Sequence, residues 1–300
     1  MKVLPADVRL SLYDETVRLR EENGWGYRRI ARALNRSRGI HVPRGTVANW
    51  ILGRHNPARR LHRAFTPDAS PELAYVIGAV LGDGYTTRDR GRAIVGFTNK
   101  DVDLLKHFQC ALSEALGAPS VGRITSGTRF GTMKVTVGCT ILALLLERPL
   151  AELVSFIDAY PADFIRGFFD AEGTAVVFVS ESRLQVAVTV SNSNREILQY
   201  ISCLLEKKFG SFSTLRIARN PGTYVIRGQP VIFKRPVFRL SILRIRDVEQ
   251  YAKLINFASI PKRQRLEEGI AHLRQYGRQG AATHWLIGHR KVNSRWVTIG

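Results

Sequence analysis

Cysteine is scarce in this 300-residue chain: Cys110, Cys139 and Cys203 are widely separated and odd in number. That excludes a disulfide framework and offers no zinc-ligand spacing, so the thiols read as buried groups of an intracellular protein. No apolar run approaches the ~18 residues of a membrane span, and no signal pattern opens the chain. Acid is the other deficit. Asp and Glu number 25 against 45 Lys and Arg, a formal net charge of +20, and 35 of the basic residues are Arg. Such an excess implies a polyanionic partner, and the planar guanidinium fork suits phosphate and guanine better than an ammonium does. No basic amphipathic anchor stands out, which directs the expectation to nucleic acid rather than to a membrane. The length accommodates two or three modest domains.

Residues 1–60 read as an all-α module. Val8, Leu12, Val17 and Leu19 fit a first helix ending near Asn23-Gly24, and Ile30, Ala31 and Leu34 mark one stripe of a second. A third, RGTVANWILGR, is stopped by Gly53 and Pro57. Short helices with a tight turn before the last resemble the helix-turn-helix DNA-binding family. The resemblance implies Val47, Trp50 and Ile51 as core. It turns Arg44, Thr46 and Asn49 to the major groove and Arg54, Arg59 and Arg60 to phosphates. Residues 61–70 complete a linker rich in Pro, Ala and Arg.

Beyond the linker the chain is written twice. AYVIGAVLGDG (Ala74 to Gly84) and FIRGFFDAEG (Phe164 to Gly173) are apolar helices ending in an acid and a glycine, with Asp83 and Glu172 89 residues apart. Each leads into the same order: helix, strands, helix, strands, helix. GFTNKDVDLL aligns with TVSNSNREIL, which puts Asn99 opposite Asn192. MKVTV aligns with FRLSI, which puts Lys134 opposite Arg239. The offset grows only in loops, notably from Arg219 to Arg235, where insertions disturb little packing. The expected fold is α+β: a pseudo-two-fold pair of helix-strand-strand-helix-strand-strand-helix repeats, at 71–158 and 159–268, plus the N-terminal module. Residues 269–300 form a basic C-terminal extension with Trp285 and Trp296 among its basic residues.

The two motifs resemble those of single-chain LAGLIDADG homing endonucleases. The second match is close, and the first runs through Gly78, Gly82, Asp83 and Gly84. The resemblance covers roughly residues 70 to 268. It implies two antiparallel sheets forming a saddle in the major groove, with Lys134 and Arg239 toward DNA. It also implies a functional monomer and hydrolysis of both strands of a long DNA target. Gly78, Gly82, Gly167 and Ala171 recur at four-residue spacing, so small residues would let the two helices approach closely. An acid at a helix C-terminus opposes the macrodipole by roughly 0.3–1 kcal/mol, and two converging carboxylates repel. A divalent cation offsets both costs, and hard oxygen ligands point to Mg²⁺ (or Mn²⁺).

Asp83 and Glu172 are therefore the expected metal ligands and catalytic acids, with Gly82 and Ala171 beside them as further metal-site positions. The resemblance adds Asn99 and Asn192 as water-organising groups and Lys262 as the basic residue near the scissile phosphate, although the first-repeat linker has no lysine to match it. Asp170 faces Leu81 in the other repeat and reads as structural. Two rivals share these features: an intron-splicing RNA maturase, which would make intron RNA a partner, and a DNA-binding regulator without nuclease activity. An intron-encoded or freestanding protein, nucleoid-associated or cytoplasmic, is expected rather than an intein.

Overall fold

A computed structural model describes residues 6–54, 66–89, 92–118, 121–128, 131–226, 228–292 and 295–298. The chain divides into two compact units, Met1–Thr66 and Pro67–Gly300. Among the described residues no helix is long and apolar enough to cross a membrane.

The first unit holds α1 (Ala6–Asn23), α2 (Tyr27–Arg38) and α3 (Arg44–Ile51). Leu12, Ile30, Leu34, Val47 and Trp50 form its core, with Ile51 partly buried against it. On α1 the inward position after Leu12 is Thr16, not the expected Val17. Its hydroxyl donates to the Leu12 carbonyl at 2.7 Å, which lets a polar side chain be buried without loss. Glycines in the left-handed region end α1 and α2, at Gly24 (φ 64°) and Gly39 (φ 63°).

The second unit is built on two central helices, α4 (Pro71–Asp83) and α8 (Pro161–Glu172), each with proline in its first turn. From α4 the chain runs through β1 (Gly84–Asp89), β2 (Arg92–Asn99), α5 (Val102–Ala115), β3 (Arg123–Thr128), β4 (Thr132–Gly138) and α6 (Thr140–Leu146). After α7 (Leu150–Ala159) and α8 the order repeats: β5 (Gly173–Ser180), β6 (Arg183–Asn192), α9 (Arg195–Phe209), β7 (Thr214–Arg219), β10 (Val237–Ile242) and α10 (Ile245–Leu254). A hairpin, β8 (Gly222–Ile226) with β9 (Gln229–Phe233), interrupts the second copy where a loop insertion is expected. Helix α11 (Ile260–Gly288) follows, broken at Gly277, and leads to β11 (His289–Val292) and β12 (Arg295–Thr298). Residue 269, the expected start of the extension, therefore falls inside α11.

The two sheets have one topology, β1-β2-β4-β3 and β5-β6-β10-β7, antiparallel throughout. Alternation decides their faces. Val135 and Val137 of β4, and Leu240 and Ile242 of β10, are buried, so Lys134 and Arg239, each one residue before its pair, lie on the opposite faces. Register confirms the duplication residue by residue. Gly84 pairs with Phe97 and Gly173 with Val190, so Asn99 and Asn192 each lie two residues beyond the partner of the motif glycine. Lys134 pairs with Thr98 and Arg239 with Ser191, at matching places.

Candidate active site where the central helices meet

Helices α4 and α8 touch backbone to backbone because each carries glycine at the crossing. A Cβ on Gly78 would lie 2.1 Å from the Phe164 carbonyl oxygen, and one on Gly167 would lie 2.2 Å from that of Tyr75. The contacts are reciprocal across the pseudo-two-fold. One turn on, a Cβ on Gly82 would stand 2.6 Å from that of Ala171 and 3.2 Å from Cγ of Glu172. The two acid-bearing helix ends are thus adjacent. Gly84 and Gly173, which reverse the chain into β1 and β5, are needed for space: a Cβ would fall 2.4 Å from Val80 Cα and 2.6 Å from the Phe169 carbonyl oxygen.

The carboxylates are not equivalent. Asp83 is open to solvent, and among the described residues no hydrogen-bond donor reaches it. The surrounding protein nevertheless desolvates it and holds its pKa above the ordinary value, against the pull of Lys262. Glu172 is half-buried and accepts a 2.8 Å hydrogen bond at Oε1 from Nδ2 of Asn192. Desolvation, and then the Asp83 charge, raise its pKa from 4.5 to about 7 despite Asn192 and Lys262. The rise of Glu172 in the field of Asp83 is the effect of a like charge held nearby.

Lys262, near the start of α11, reaches the same region. Its Nζ donates to the carbonyls of Phe169 (3.2 Å) and Asp170 (2.6 Å) in the last turn of α8; the Phe169 carbonyl also accepts from the Gly173 amide. Burial lowers its pKa, while Asp170, Asp83, Asp101 and Glu172 oppose that shift. The ammonium therefore sits in the field of both site acids while bonded to backbone.

Asn99 occupies the place of Asn192 but bonds differently. Its Oδ1 accepts from the Asp101 amide at 3.0 Å, as Asn192 Oδ1 does from Asn194 at 2.8 Å; only Asn192 also donates to a site carboxylate. Lys134 and Arg239 lie on the sheet faces opposite the buried side chains, and Arg239 Nε donates to Ser191 Oγ at 3.3 Å. In the first unit Arg44 and Asn49 are exposed on α3 with Thr46 half-buried, and Arg54 is exposed beyond it. Arg59 and Arg60 lie outside the described residues.

Asp170 is fully buried. It accepts from Tyr75 Oη (3.2 Å) and from the amides of Ala258 and Ser259 (3.1 Å each), and burial holds its pKa above the carboxylate norm. Ser259 Oγ in turn donates to Asp101 at 2.7 Å. Residues 258–262 thus bridge the two repeats beside the helix ends. Tyr75, Asp101 and Ser259 were not legible as site residues, because their partners lie 95, 158 and 89 positions away.

The donor set fits a divalent cation. Asp83 and Glu172 supply hard carboxylate oxygens, and the carbonyls of Gly82 and Ala171 belong to the last turns of their helices, where intrahelical donors are lacking. Among the described residues no group of three His, Cys, Asp or Glu forms a closed metal cage. Two carboxylates leave further coordination positions of such a cation to water and other oxygen ligands.

Comparison with known proteins finds a family model and similar chains. Residues 159–256 match the LAGLIDADG-like domain family. The chain is 29% identical over 271 residues to the uncharacterized protein MJ0398 of Methanocaldococcus jannaschii, covering 89% of this chain and 96% of that one. I-DmoI in complex with DNA and Mn is 21% identical, covering 63% of this chain and 97% of that chain at a TM-score of 0.46. The LAGLIDADG homing endonuclease I-GzeII in complex with its DNA target is 8% identical, covering 69% and 90% at a TM-score of 0.43. Residues 159–256 of the second repeat thus match the LAGLIDADG-like domain model, and the first repeat is folded to the same plan as the second.

Proposed function

We propose that this protein is a metal-dependent site-specific DNA endonuclease that hydrolyses both strands of a long, near-palindromic target. One observation carries the reading: glycine-mediated contact of α4 and α8 brings Asp83 and Glu172 together at the junction of two like sheets. Glu172, Asp83 and the neighbouring carbonyls would hold Mg²⁺ or Mn²⁺. The ion supplies Lewis acidity and a lowered pKa for water in phosphodiester hydrolysis. Asn192 fixes the Glu172 carboxylate through its 2.8 Å bond. Lys262 places a positive charge beside both acids, and Asn99 and Asn192 flank the site at equivalent strand ends. Lys134 and Arg239 lie on the faces that would read base edges, and phosphate contacts from the arginine excess would make binding strongly salt-dependent. The exposed face of α3 in the first unit, with Arg44 and Asn49, would add contacts to flanking duplex.

The test is selection of a duplex by the wild-type protein from a randomised pool in Ca²⁺, then cleavage of that duplex with and without Mg²⁺. Wild type should cut both strands only with the metal, and Glu172→Gln should fail to cut. Unimpaired cutting by Glu172→Gln would overturn the active-site assignment. Absence of any selected duplex, with tight binding to structured intron RNA, would favour the maturase reading.

A further inference from the structure

The β8–β9 hairpin is the largest departure from two-fold symmetry between the sheets. The first repeat joins β3 to β4 across residues 129–131; the second places a twelve-residue hairpin, Gly222–Phe233, between β7 and β10. Its two faces differ in kind. On one, Tyr224 meets Phe233 edge-on at 5.6 Å, the Arg219 guanidinium lies 5.0 Å from the Phe233 ring centroid, and Tyr224 Oη donates to the Asn220 carbonyl. The other carries Thr223 paired with Ile232 and Val225 paired with Pro230. Val225 is 76% exposed and Ile232 69%. A two-stranded hairpin holding branched apolar side chains in water has a face awaiting a partner.

Charge identifies that partner. From Lys207 to Arg246 the sequence runs forty residues without Asp or Glu and contains ten Lys and Arg. Lys234 and Arg235, directly after β9, are exposed, and β7 and β10, which the hairpin joins, carry Arg216 and Arg239 paired across the same sheet face. A protein partner would have to match a wholly basic surround. A duplex supplies phosphates for the rim and sugars and base edges for an apolar centre, the combination that groove-inserting proteins use with Ile, Pro and similar wedges.

We propose that the β8–β9 hairpin is a one-sided DNA arm. It extends the contact surface of the second sheet along flanking duplex, with Val225, Pro230 and Ile232 against the groove and Lys234 and Arg235 on phosphates. This rests on the DNA reading above. The target half-site served by the second repeat is accordingly longer than its mate, so the recognised sequence is asymmetric in length as well as in letters.

Hydroxyl-radical footprinting and salt-dependent affinity on the wild-type-selected duplex, in Ca²⁺, test the arm. Val225→Thr/Ile232→Thr changes only exposed side chains. It should shorten the footprint by several base pairs at one end and weaken binding about tenfold with an unchanged salt slope. Lys234→Ala/Arg235→Ala should lower the slope of log affinity against log salt by about 2, close to 0.9 per phosphate contact. If wild type binds and both variants keep its footprint, affinity and slope, the arm is overturned and the DNA reading stands. If wild type selects no duplex, both fall together.

Discussion

Asp170 and Lys262 bind across one junction in opposite directions. The Asp170 carboxylate accepts the amides of Ala258 and Ser259 ahead of α11, while Lys262 donates to the carbonyls of Phe169 and Asp170 at the end of α8. Each helix end supplies hydrogen-bond partners to the other, and each charge has the sign its partner's dipole favours. Asp170→Ala would strand two buried amides and the Tyr75 hydroxyl, so it should cost about 3 kcal/mol in urea unfolding. Asp170→Asn keeps one acceptor oxygen and should cost less than half as much.

The crossing of the central helices leaves no room for a methyl group. Gly78→Ala and Gly167→Ala each drive a Cβ into backbone that cannot rotate away. Each should destabilise the protein by at least about 1–3 kcal/mol, and by pushing the helix ends apart should reduce cleavage more than binding. Thermal unfolding alongside Kd and single-turnover rates separates the two effects. Equal loss of binding and cleavage would argue against a role for helix spacing in the chemistry.

Much of this site is legible in the residues themselves. The four-residue recurrence of Gly78 and Gly82 is a one-face pattern, and the structure uses it as one. Asn99 and Asn192 align by motif and again by strand register, because a period of two leaves no freedom once the motif glycines are paired. What escapes the sequence is what depends on distant partners. Lys262 reads as a cation for the reaction, yet its ammonium bonds the α8 carbonyls, a contact spanning 92 positions that no local pattern encodes. The β8–β9 hairpin escapes for another reason. Its strands are short, and Pro221, Pro230 and Gly228 read as loop punctuation, although Pro230 and Gly228 lie at the hairpin end, where proline and glycine are tolerated. Helix α7 is hidden in the same way, between Pro149 and Pro161.

The two asparagines should separate in function. Asn192 orients Glu172 directly, whereas Asn99 Oδ1 bonds the backbone of the α5 N-cap. Asn192→Ala should lower the cleavage rate roughly 10- to 100-fold, as removal of an oriented ligand partner does, and should also lose about 1 kcal/mol with its bond to the Asn194 amide. Asn99→Ala should show a smaller rate effect and about 1 kcal/mol of destabilisation from the lost bond. Strand-resolved single-turnover kinetics and urea melts of both variants measure this; identical profiles would contradict the asymmetry.

Glu172 makes the metal-free protein sensitive to pH in a definite direction. Its pKa stands near 7 in the folded chain against an ordinary 4.5, because burial and Asp83 disfavour the charged form. Below about pH 4.5 the group is protonated folded or unfolded and contributes no difference. As pH rises the unfolded chain releases this proton first, so the native state loses stability through the window from 4.5 to 7 and carries the full cost above it. Partial solvent access limits that cost to about 1–2 kcal/mol. Glu172→Gln has no such cost, so in EDTA it should equal wild type near pH 4 and exceed it by that margin at pH 8. Mg²⁺ should reverse the order at pH 8, since a cation bound between the carboxylates stabilises only the chain that keeps both. Urea unfolding of both proteins at the two pH values, with EDTA and with Mg²⁺, gives all the comparisons. A wild-type curve that does not respond to Mg²⁺ at pH 8 would remove Glu172 from the metal site.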